Sequence, residues 1–146
     1  MKMHFKVIDP LDYKERVIDL LAQLNPKKES STIGILIDLM KESSNYNCFA
    51  LFKNDDLIGI SSGWTSVRIY CGKQLELDNV IIDSNIQSKG YGRYFIDAIK
   101  KWANQNKYQS IGLNTYVENS RSHKFYFNQD FQILGFHFEH NLNINR

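Results

Sequence analysis

A short glycine loop before a predicted helix is the part of this sequence best suited to hold an anion. Residues 87–93 read QSKGYGR, and a helical pattern begins at Gly90 and Gly92. A helix N-terminus presents backbone N–H groups without acceptors and carries partial positive charge. A loop without bulky Cβ atoms lets an anion reach those groups. The loop therefore predicts a diphosphate site on the amides of residues 88–93, with Lys89 and Arg93 adding charge. The alternative is a plain strand-to-helix turn in which glycine supplies a positive φ.

Two other phosphate-binding motifs are excluded by the same residues. A Rossmann fingerprint needs a third glycine where Phe95 stands. A P-loop needs the pattern G-x-x-x-x-G-K-[ST], which this sequence lacks. The loop must therefore be interpreted together with the elements that surround it.

Composition predicts a single globular domain over residues 1–146. Hydrophobic residues make up 42% and charged residues 23%, and the formal net charge of +2 is too small to indicate a nucleic-acid partner. The cysteines, Cys48 and Cys71, have no metal-ligand spacing, so we expect ordinary reduced thiols and no metal site. No apolar run approaches a membrane span, and no signal-peptide core is present. We expect a soluble, cytoplasmic protein.

Hydrophobic periodicity and turn residues predict the element order β-α-α-β-β-β-α-β-α-β. Asp9 before Pro10 is typical of a helix start, and Ser31 is the candidate cap of the second helix. Hairpins followed by strand-helix-strand units indicate a mixed α/β sheet with helices on its faces. In chain order the elements are strand MHFKVI, helix DPLDYKERVIDLLAQLNP, helix SSTIGILIDLMKES, strands NCFALFK and DLIGISSGW, a hairpin of SVRIY with QLELDNVIID, the helix from Gly90 to about Gln105, strand SIGLNTYV, helix NSRSHKFYFNQDF and closing strand QILGFHFEH.

Two motifs in this order carry a resemblance to a known family. QSKGYG has the form Q/R-x-x-G-x-G/A, and Asn119, Tyr126 and Phe131 follow the form N-x(6)-Y-x(4)-F. Together with the element order, these motifs resemble the GNAT superfamily of acetyl-CoA-dependent N-acetyltransferases over nearly the whole chain. One departure is Asp130, where the family usually has glycine. Aspartate tolerates a left-handed helix cap less well than glycine, so we expect a change in local stability.

The resemblance implies a mostly antiparallel central sheet flanked by helices, and acetyl transfer from the co-substrate acetyl-CoA to an amine. The pantetheine arm would pair with the strand end 80–82, where the next strand splays away, and the amide of Val80 could polarise the thioester carbonyl. Tyr126 would protonate the departing thiolate, and Asn119 would contact the CoA arm. The alternatives are a buried strand, core packing by Tyr126, and a helix N-cap at Asn119. The implied CoA-binding residues are Val80, Ile81, Ile82, Gln87, Ser88, Lys89, Gly90, Tyr91, Gly92, Arg93 and Asn119.

Two carboxylates on one strand are the candidates for binding and deprotonating the amine acceptor. Glu76 and Asp78 share a strand face because successive side chains alternate. An alkylamine of pKa ~10.4 is protonated at neutral pH, and freeing it costs roughly 4–5 kcal/mol, so a base helps. Glu76 matches the base position of the histone-acetylating branch, and Asp78 would attract or orient the acceptor. The alternatives are a solvated strand edge or a salt bridge with Arg68, and His123 or His137 as base.

The acceptor expected from this pattern is a small cationic primary amine, since two acids near Trp64 and Tyr70 would attract a cation. Two alternatives stay open: a CoA-binding regulatory protein without turnover, and a protein lysine or N-terminal acetyltransferase. We expect neither a nucleic-acid nor a membrane partner. The resemblance also allows a homodimer through the sheet edge or the final strand.

Overall fold

The computed structural model describes residues 2–87 and 89–143, which form two compact units, the first ending at Leu113 and the second beginning at Asn114. The first unit holds a five-stranded sheet with three α-helices, and the second holds one α-helix. The elements are β1 (Met3–Ile8), α1 (Lys14–Leu24), α2 (Ser30–Glu42), β2 (Tyr46–Lys53), β3 (Asp56–Arg68), β4 (Gly72–Ile82), α3 (Tyr91–Gln105), β5 (Ser110–Leu113) and α4 (Ser120–Asn128), with short 3-10 helices at Pro10–Tyr13 and Ser84–Ile86.

The sheet has the order β1-β2-β3-β4-β5. Neighbours from β1 to β4 are antiparallel, and β5 is parallel to β4. The runs DLIGISSGW and SVRIY contribute to one long strand, β3, which forms a continuous hairpin with β4. This confirms the predicted mixed, mostly antiparallel sheet.

Helices cover both faces of this sheet because the strand side chains alternate. On one face Ala50, Ile60 and Ile81 belong to the same apolar cluster as residues of α1 and α2 such as Leu20 and Ile37. On the other face α3 packs its apolar side, as its periodicity predicts. There the ring of Phe49 lies 4.8 Å from that of Trp102, and Phe5 lies 6.3 Å from Phe95.

The two predicted helix caps in the first unit have different outcomes. The side chain of Asp9 accepts a hydrogen bond from the Leu11 amide at 3.0 Å, which confirms it as a cap, although the first turn is a 3-10 helix. The cap at Ser31 is wrong. Glu29 precedes the helix and its carbonyl already accepts from the Ile33 amide, so Ser31 lies inside the first turn.

The closing strand predicted over residues 132–140 is also wrong. The structure gives this stretch neither helix nor strand, and within the described residues it pairs with no strand of the sheet. Alternating apolar residues specify a surface suited to a sheet, but a strand forms only when a neighbour satisfies its backbone groups. The predicted strand SIGLNTYV is shorter than expected and ends at Leu113.

Candidate active site

The start of α3 is built by a glycine in a left-handed conformation. Gly90 is the N-cap residue with φ 81°, and its carbonyl accepts the first helical hydrogen bond from the Tyr94 amide at 3.0 Å. Among the described residues other than its chain neighbours, no atom lies within 4 Å of the position that a Cβ at Gly90 would take, so the positive φ rather than crowding favours glycine here. Gly90 has no side chain and makes no capping hydrogen bond to the first turn of α3.

The charged and aromatic residues of this loop divide into two groups. Lys89 and Arg93 are exposed, as an anion site needs. Tyr91 is buried instead, with the Lys53 ammonium 5.5 Å from its ring centroid, so its side chain anchors the helix. Ser88, the remaining predicted residue of the loop, lies outside the described residues.

Side chains tie the loop to the end of β4. The Gln87 amide donates to the Ile82 carbonyl at 3.0 Å, which gives Gln87 a bracing role. Asp83 accepts from the Asn85 amide at 3.1 Å and from Arg16 at 2.7 Å, and Gln23 donates to it at 3.2 Å. The hydrogen bond from Arg16 is the main cause that holds the pKa of Asp83 below its usual value.

The hydrogen bonds that Asp83 accepts from Asn85, Arg16 and Gln23, called here the Asp83 brace, were not predicted from the sequence. The only local signal for this brace is the pair Asp83-Ser84 before Asn85, a pattern typical of turns in which aspartate bonds a backbone amide two residues later. Arg16 and Gln23 come from α1, 67 and 60 residues away from Asp83 in the chain, so nothing local indicates them.

The strand before the loop contains a bulge that the sequence did not predict. Ile60 pairs with Ile81 but Ser62 pairs with Asp78, so Asn79 and Val80 together oppose one residue of β3. Asn79 has φ 52°, in the left-handed region that asparagine tolerates better than most residues. A bulge bends and twists its strand, and simple alternation from Asp78 to Ile82 does not hold across it.

The neighbouring strand separates from β4 at the same place. β4 pairs with β5 only from Gln74 to Leu77, and among the described residues the edge of β4 after Leu77 has no strand beside it on that side. The side chains of Ile81 and Ile82 are buried, as a core strand requires, so their backbone is the part that can face a ligand. Val80 is half-buried within the bulge.

The two predicted acids lie on one face of β4, just before the bulge. Glu76 pairs with Trp64 of β3, and Asp78 pairs with Ser62. The Trp64 indole donates to the Asp78 carboxylate at 3.3 Å, and Asn79 donates to the same oxygen at 3.3 Å. Both of these donors are neutral groups, so neither forms an ion pair with the Asp78 carboxylate.

The Arg68 guanidinium lies 4.0 Å from the Glu76 carboxylate, so the predicted salt bridge exists as a long, half-exposed pair. Such pairs contribute little to stability. Arg68 also donates to the exposed Tyr70 hydroxyl at 3.1 Å. Arg68, on the opposite strand, is therefore a charged neighbour of Glu76.

Trp64 and Tyr46 form an aromatic wall beside these acids. Their ring centroids are 5.0 Å apart, and Tyr46 was missed because it meets Trp64 only through the pairing of β2 with β3. Burial raises the pKa of the Tyr46 phenol, and it raises the pKa of the Cys48 thiol to about 11. Both groups are therefore neutral at pH 7. Cys48 and Cys71 are free thiols, as predicted.

The second unit carries the two remaining site residues on α4. The Asn119 side chain accepts from the Ser122 amide at 3.1 Å, which is the N-cap role given as its alternative. Burial raises the pKa of the Tyr126 phenol to about 12, so this group holds its proton at neutral pH. Its ring contacts Phe125 and Phe131 edge-on, with centroids 5.1 and 5.5 Å away.

The alternative bases are placed less favourably. The Nε2 of His123 lies 2.9 Å from the Tyr116 carbonyl oxygen and donates to it. His137 is exposed in the stretch without helix or strand. Among residues 2–87 and 89–143, no group of three His, Cys, Asp or Glu is arranged to hold a metal ion. No helix formed by these residues is long and apolar enough to cross a membrane.

Comparison with known proteins agrees with this architecture. The model of the acetyltransferase (GNAT) family matches residues 15–131. The uncharacterized N-acetyltransferase YhdJ of Bacillus subtilis (strain 168) is 21% identical over 124 residues, which are 85% of this chain and 87% of that protein.

Solved structures share the fold at low identity. Aminoglycoside N-acetyltransferase AAC(6')-Iy in complex with CoA has a TM-score of 0.80 at 14% identity, over 96% of this chain and 94% of that one. Aminoglycoside acetyltransferase meta-AAC0020, from an uncultured soil metagenomic sample and in complex with sisomicin, has a TM-score of 0.78 at 13% identity, over 97% of each chain. Since the family's model spans most of the sequence and the fold agrees, this chain is an acyltransferase and belongs to the acetyltransferase (GNAT) family.

Proposed function

We propose that this protein transfers the acetyl group of acetyl-CoA directly to the primary amine of a small cationic compound. The observation that carries the proposal is the left-handed Gly90 at the N-terminus of α3, where the N-cap residue itself places no side chain before the helix amides. Lys89 and Arg93 beside them favour the CoA pyrophosphate. Both solved aminoglycoside acetyltransferases above share this fold, and one of them was solved with CoA.

The open edge of β4 would then hold the pantetheine arm. Its pairing with β5 ends at Leu77, and the bulge at Asn79 turns the following backbone away from regular register. Backbone N–H and C=O groups on that edge suit the two amides of pantetheine. The Val80 amide would donate to the thioester carbonyl and stabilise the charge that develops on its oxygen.

Glu76 and Asp78 would bind and deprotonate the acceptor. Asp78 attracts the ammonium group, and Trp64 beside it adds cation–π attraction. Glu76 takes the ammonium proton, directly or through water, and the free amine attacks the thioester carbon. A C–N bond forms, the C–S bond breaks, and the departing thiolate takes its proton from Tyr126, whose raised pKa means that it holds this proton at neutral pH. The second proton on the attacking nitrogen leaves through water and restores the Tyr126 phenol, so that the products are the neutral amide and the CoA thiol.

A thiol-release assay with acetyl-CoA tests this function. The acceptor panel contains polyamines, aminoglycosides, amino sugars and a pool of lysine peptides. We expect turnover with the small cationic amines and little with the peptides. Turnover with the peptide pool alone would favour a protein acetyltransferase, and CoA binding without turnover on any amine would favour a regulatory protein.

Two acid variants separate the proposed roles on the best acceptor. Glu76→Gln should depress turnover most at low pH, where free amine is scarce, and raising the pH should partly restore it. Asp78→Asn should mainly raise KM, because it removes attraction present in both the ground and transition states. Asp56→Asn, at the exposed start of β3, is the matched control and should behave like the parent. If Glu76→Gln follows the parent at every pH, the base lies elsewhere.

We expect the reaction to take place in the cytoplasm, the location that the sequence predicts. Fractionation of cells that produce the protein checks this location, and recovery of the protein with the membrane fraction would contradict it.

A further inference from the structure

A small cavity adjoins the bulge of β4. It has a volume of about 90 Å³ and lies between α1, α2 and the bulge residue Asn79. Its wall is mostly apolar and includes Leu21, Ile33, Leu36, Ile37 and Met40. A cavity with such walls binds apolar ligands in preference to water, so this one suits a short alkyl chain.

The walls of the cavity are held in place by the core and by hydrogen bonds. Ile33 and Ile37 are 4% and 2% exposed. At the end of α1 the side-chain amide and the backbone N–H of Asn25 both donate to the Leu21 carbonyl at 3.0 Å. The Lys28 N–H donates to the Asn25 carbonyl at 3.0 Å, which fixes the following turn. A ligand therefore binds here without first having to order these walls.

The cavity lies next to the place proposed for the thioester. Val80, whose amide would bind the thioester carbonyl, directly follows Asn79, and consecutive Cα atoms are about 3.8 Å apart. Ile81 belongs to the same apolar cluster as Leu21 and Ile33, so the cavity is on the face of β4 that α1 and α2 cover. The acyl carbons bonded to that carbonyl would therefore begin within one residue of the cavity.

The cavity is larger than an acetyl group needs. An apolar cavity of about 150 Å³ holds benzene, which has six carbon atoms, so a volume of about 90 Å³ holds roughly three or four. An acetyl group has one carbon beyond its carbonyl, whereas a butyryl group has three. The volume therefore fits a butyryl chain and leaves room unused behind an acetyl group.

We propose that this cavity is an acyl-chain site, and that the protein transfers propionyl and butyryl groups from their CoA thioesters as well as acetyl. The inference rests on the proposed function, which places the thioester carbonyl at the Val80 amide. The amine nitrogen forms a C–N bond with the acyl carbon and the C–S bond breaks. The ammonium group of the acceptor loses two protons in all, one replaced on the CoA sulfur and one released to water.

Charge favours the acyl chain over the acceptor as the occupant. The proposed acceptor is cationic and is attracted by Glu76 and Asp78. The exposed Lys28 also lines the cavity, and an ammonium group there would meet a like charge. An uncharged alkyl chain is not repelled by Lys28 and buries its apolar surface against Leu36 and Met40.

Binding of non-transferable analogues tests the site without turnover. These are CoA ketones in which a methylene replaces the thioester sulfur, with acetyl, butyryl or hexanoyl chains. Each buried methylene should tighten binding about fourfold, so the butyryl analogue should bind the parent about 15-fold tighter than the acetyl analogue. The hexanoyl analogue should bind no tighter than the butyryl analogue, because the cavity holds only roughly three or four carbons. Isothermal titration calorimetry measures the three dissociation constants.

Two substitutions of Leu36 change the cavity in opposite directions. Leu36→Trp fills it and should remove the preference for the butyryl analogue. Leu36→Ala enlarges it, so there the hexanoyl analogue should bind at least about fourfold tighter than the butyryl analogue. Leu36 is 41% exposed on α2 and alanine is the best helix former, so Leu36→Ala decides the matter even if circular dichroism shows that Leu36→Trp fails to fold.

The matched control is Ile35→Trp. Ile35 is 61% exposed and lies about 100° around α2 from Leu36, outside the cavity wall. This variant adds the same indole to the same helix and should keep the preference of the parent for the butyryl analogue.

Turnover provides a second measurement. In the thiol-release assay with the best amine, kcat/KM of the parent for butyryl-CoA should equal or exceed that for acetyl-CoA. Leu36→Trp should lower the ratio of these two values by about tenfold or more, and Ile35→Trp should leave the ratio unchanged.

Three results would overturn the inference. One is equal affinity of the parent for the acetyl and butyryl analogues. Another is a butyryl preference that survives Leu36→Trp. The last is a raised KM for the amine in Leu36→Trp with both analogues bound as in the parent, which would assign the cavity to the acceptor. A protein that binds only the acetyl analogue and acetylates an amine keeps the proposed function and loses this inference alone, whereas one that binds no CoA derivative loses both.

Discussion

The helices α3 and α4 begin in opposite ways, although both carry predicted site residues. α3 begins at Gly90, which contributes a left-handed backbone and no side chain. α4 begins at Asn119, whose side chain accepts a hydrogen bond from the Ser122 amide. The N-cap residue of α3 therefore supplies no acceptor side chain, whereas the N-cap residue of α4 does.

This difference indicates whether each helix contributes to the site through its backbone or through a side chain. A helix start without a capping side chain can act through its backbone, and its residues can vary if the backbone angle is preserved. A helix whose first turn is capped must act through a side chain further along, and on α4 that side chain is Tyr126. We expect substitutions at α4 to change chemistry and substitutions at α3 to change binding.

Removal of the Tyr126 hydroxyl should have the largest effect. Tyr126→Phe keeps the ring contacts with Phe125 and Phe131 but deletes the proton donor, so turnover should fall about 10²- to 10⁴-fold while CoA affinity changes little. Since burial raises the phenol pKa to about 12, the parent should keep this donor protonated well above neutral pH. Steady-state rates and CoA titration measure both quantities.

The matched control for this variant is Tyr116→Phe, at a tyrosine that is 78% exposed in the same unit. Its turnover should equal that of the parent. Full turnover in Tyr126→Phe, under conditions where the chemical step limits the rate, would leave Tyr126 as a packing residue only.

A β-branched residue at Gly90 should abolish the response to CoA. At a concentration 100 times the dissociation constant, CoA should stabilise the parent by about 2.7 kcal/mol. Gly90→Val cannot hold φ 81° without strain and places methyl groups before the helix amides, so this gain should disappear. Thermal unfolding with and without CoA measures it.

Asn54→Val is the control that separates the effect of backbone strain on stability from the effect of a lost ligand contact. Asn54 has φ 55° in the turn between β2 and β3, so valine there should lower stability for the same reason. Its stabilisation by CoA should nevertheless persist. An unchanged CoA response in Gly90→Val would place the phosphates away from this loop.

The parts of the fold that could be predicted from sequence are those specified by neighbouring residues. The start of α3 follows from the glycine spacing, and the start of α4 follows from Asn119 before a short amphipathic run. The cap at Asp9 follows from the proline beside it. In each case the residue that determines the backbone lies within one turn of the feature that it determines.

The parts that could not be predicted depend on register between distant segments. The bulge at Asn79 exists because β4 has one residue more than β3 between their paired positions. The contact of Tyr46 with Trp64 requires the pairing of β2 with β3. The Asp83 brace needs Arg16 from α1. Residues 132–140 have the alternating pattern of a strand, but that pattern does not identify a partner strand.

Replacement of Asn119 should have a smaller effect and should show whether the cap also binds ligand. Asn119→Ala removes the acceptor for the Ser122 amide and should lower stability by about 1 kcal/mol, while Asn119→Ser keeps a capping oxygen and should recover most of it. Chemical denaturation of both variants measures this. If CoA affinity falls equally in both, the amide contacts the ligand as well as the helix; if affinity follows stability, the residue is a cap alone.

The smallest expected effect is at the other end of α4, where Asp130 replaces the glycine usual in the family. Asp130 has φ 67°, and the amides of Asp130 and Phe131 bond the carbonyls of Phe127 and Tyr126 at 3.1 and 3.0 Å, a Schellman arrangement. Glycine relieves the left-handed strain but adds freedom to the unfolded chain, so Asp130→Gly should stabilise the protein by about 0.5 kcal/mol. Asp130→Ala, which cannot relieve that strain, should be less stable than Asp130→Gly in the same denaturation experiment. Equal stability of the two variants would mean that the left-handed geometry costs this helix nothing, and that aspartate is retained here for a reason other than its tolerance of positive φ.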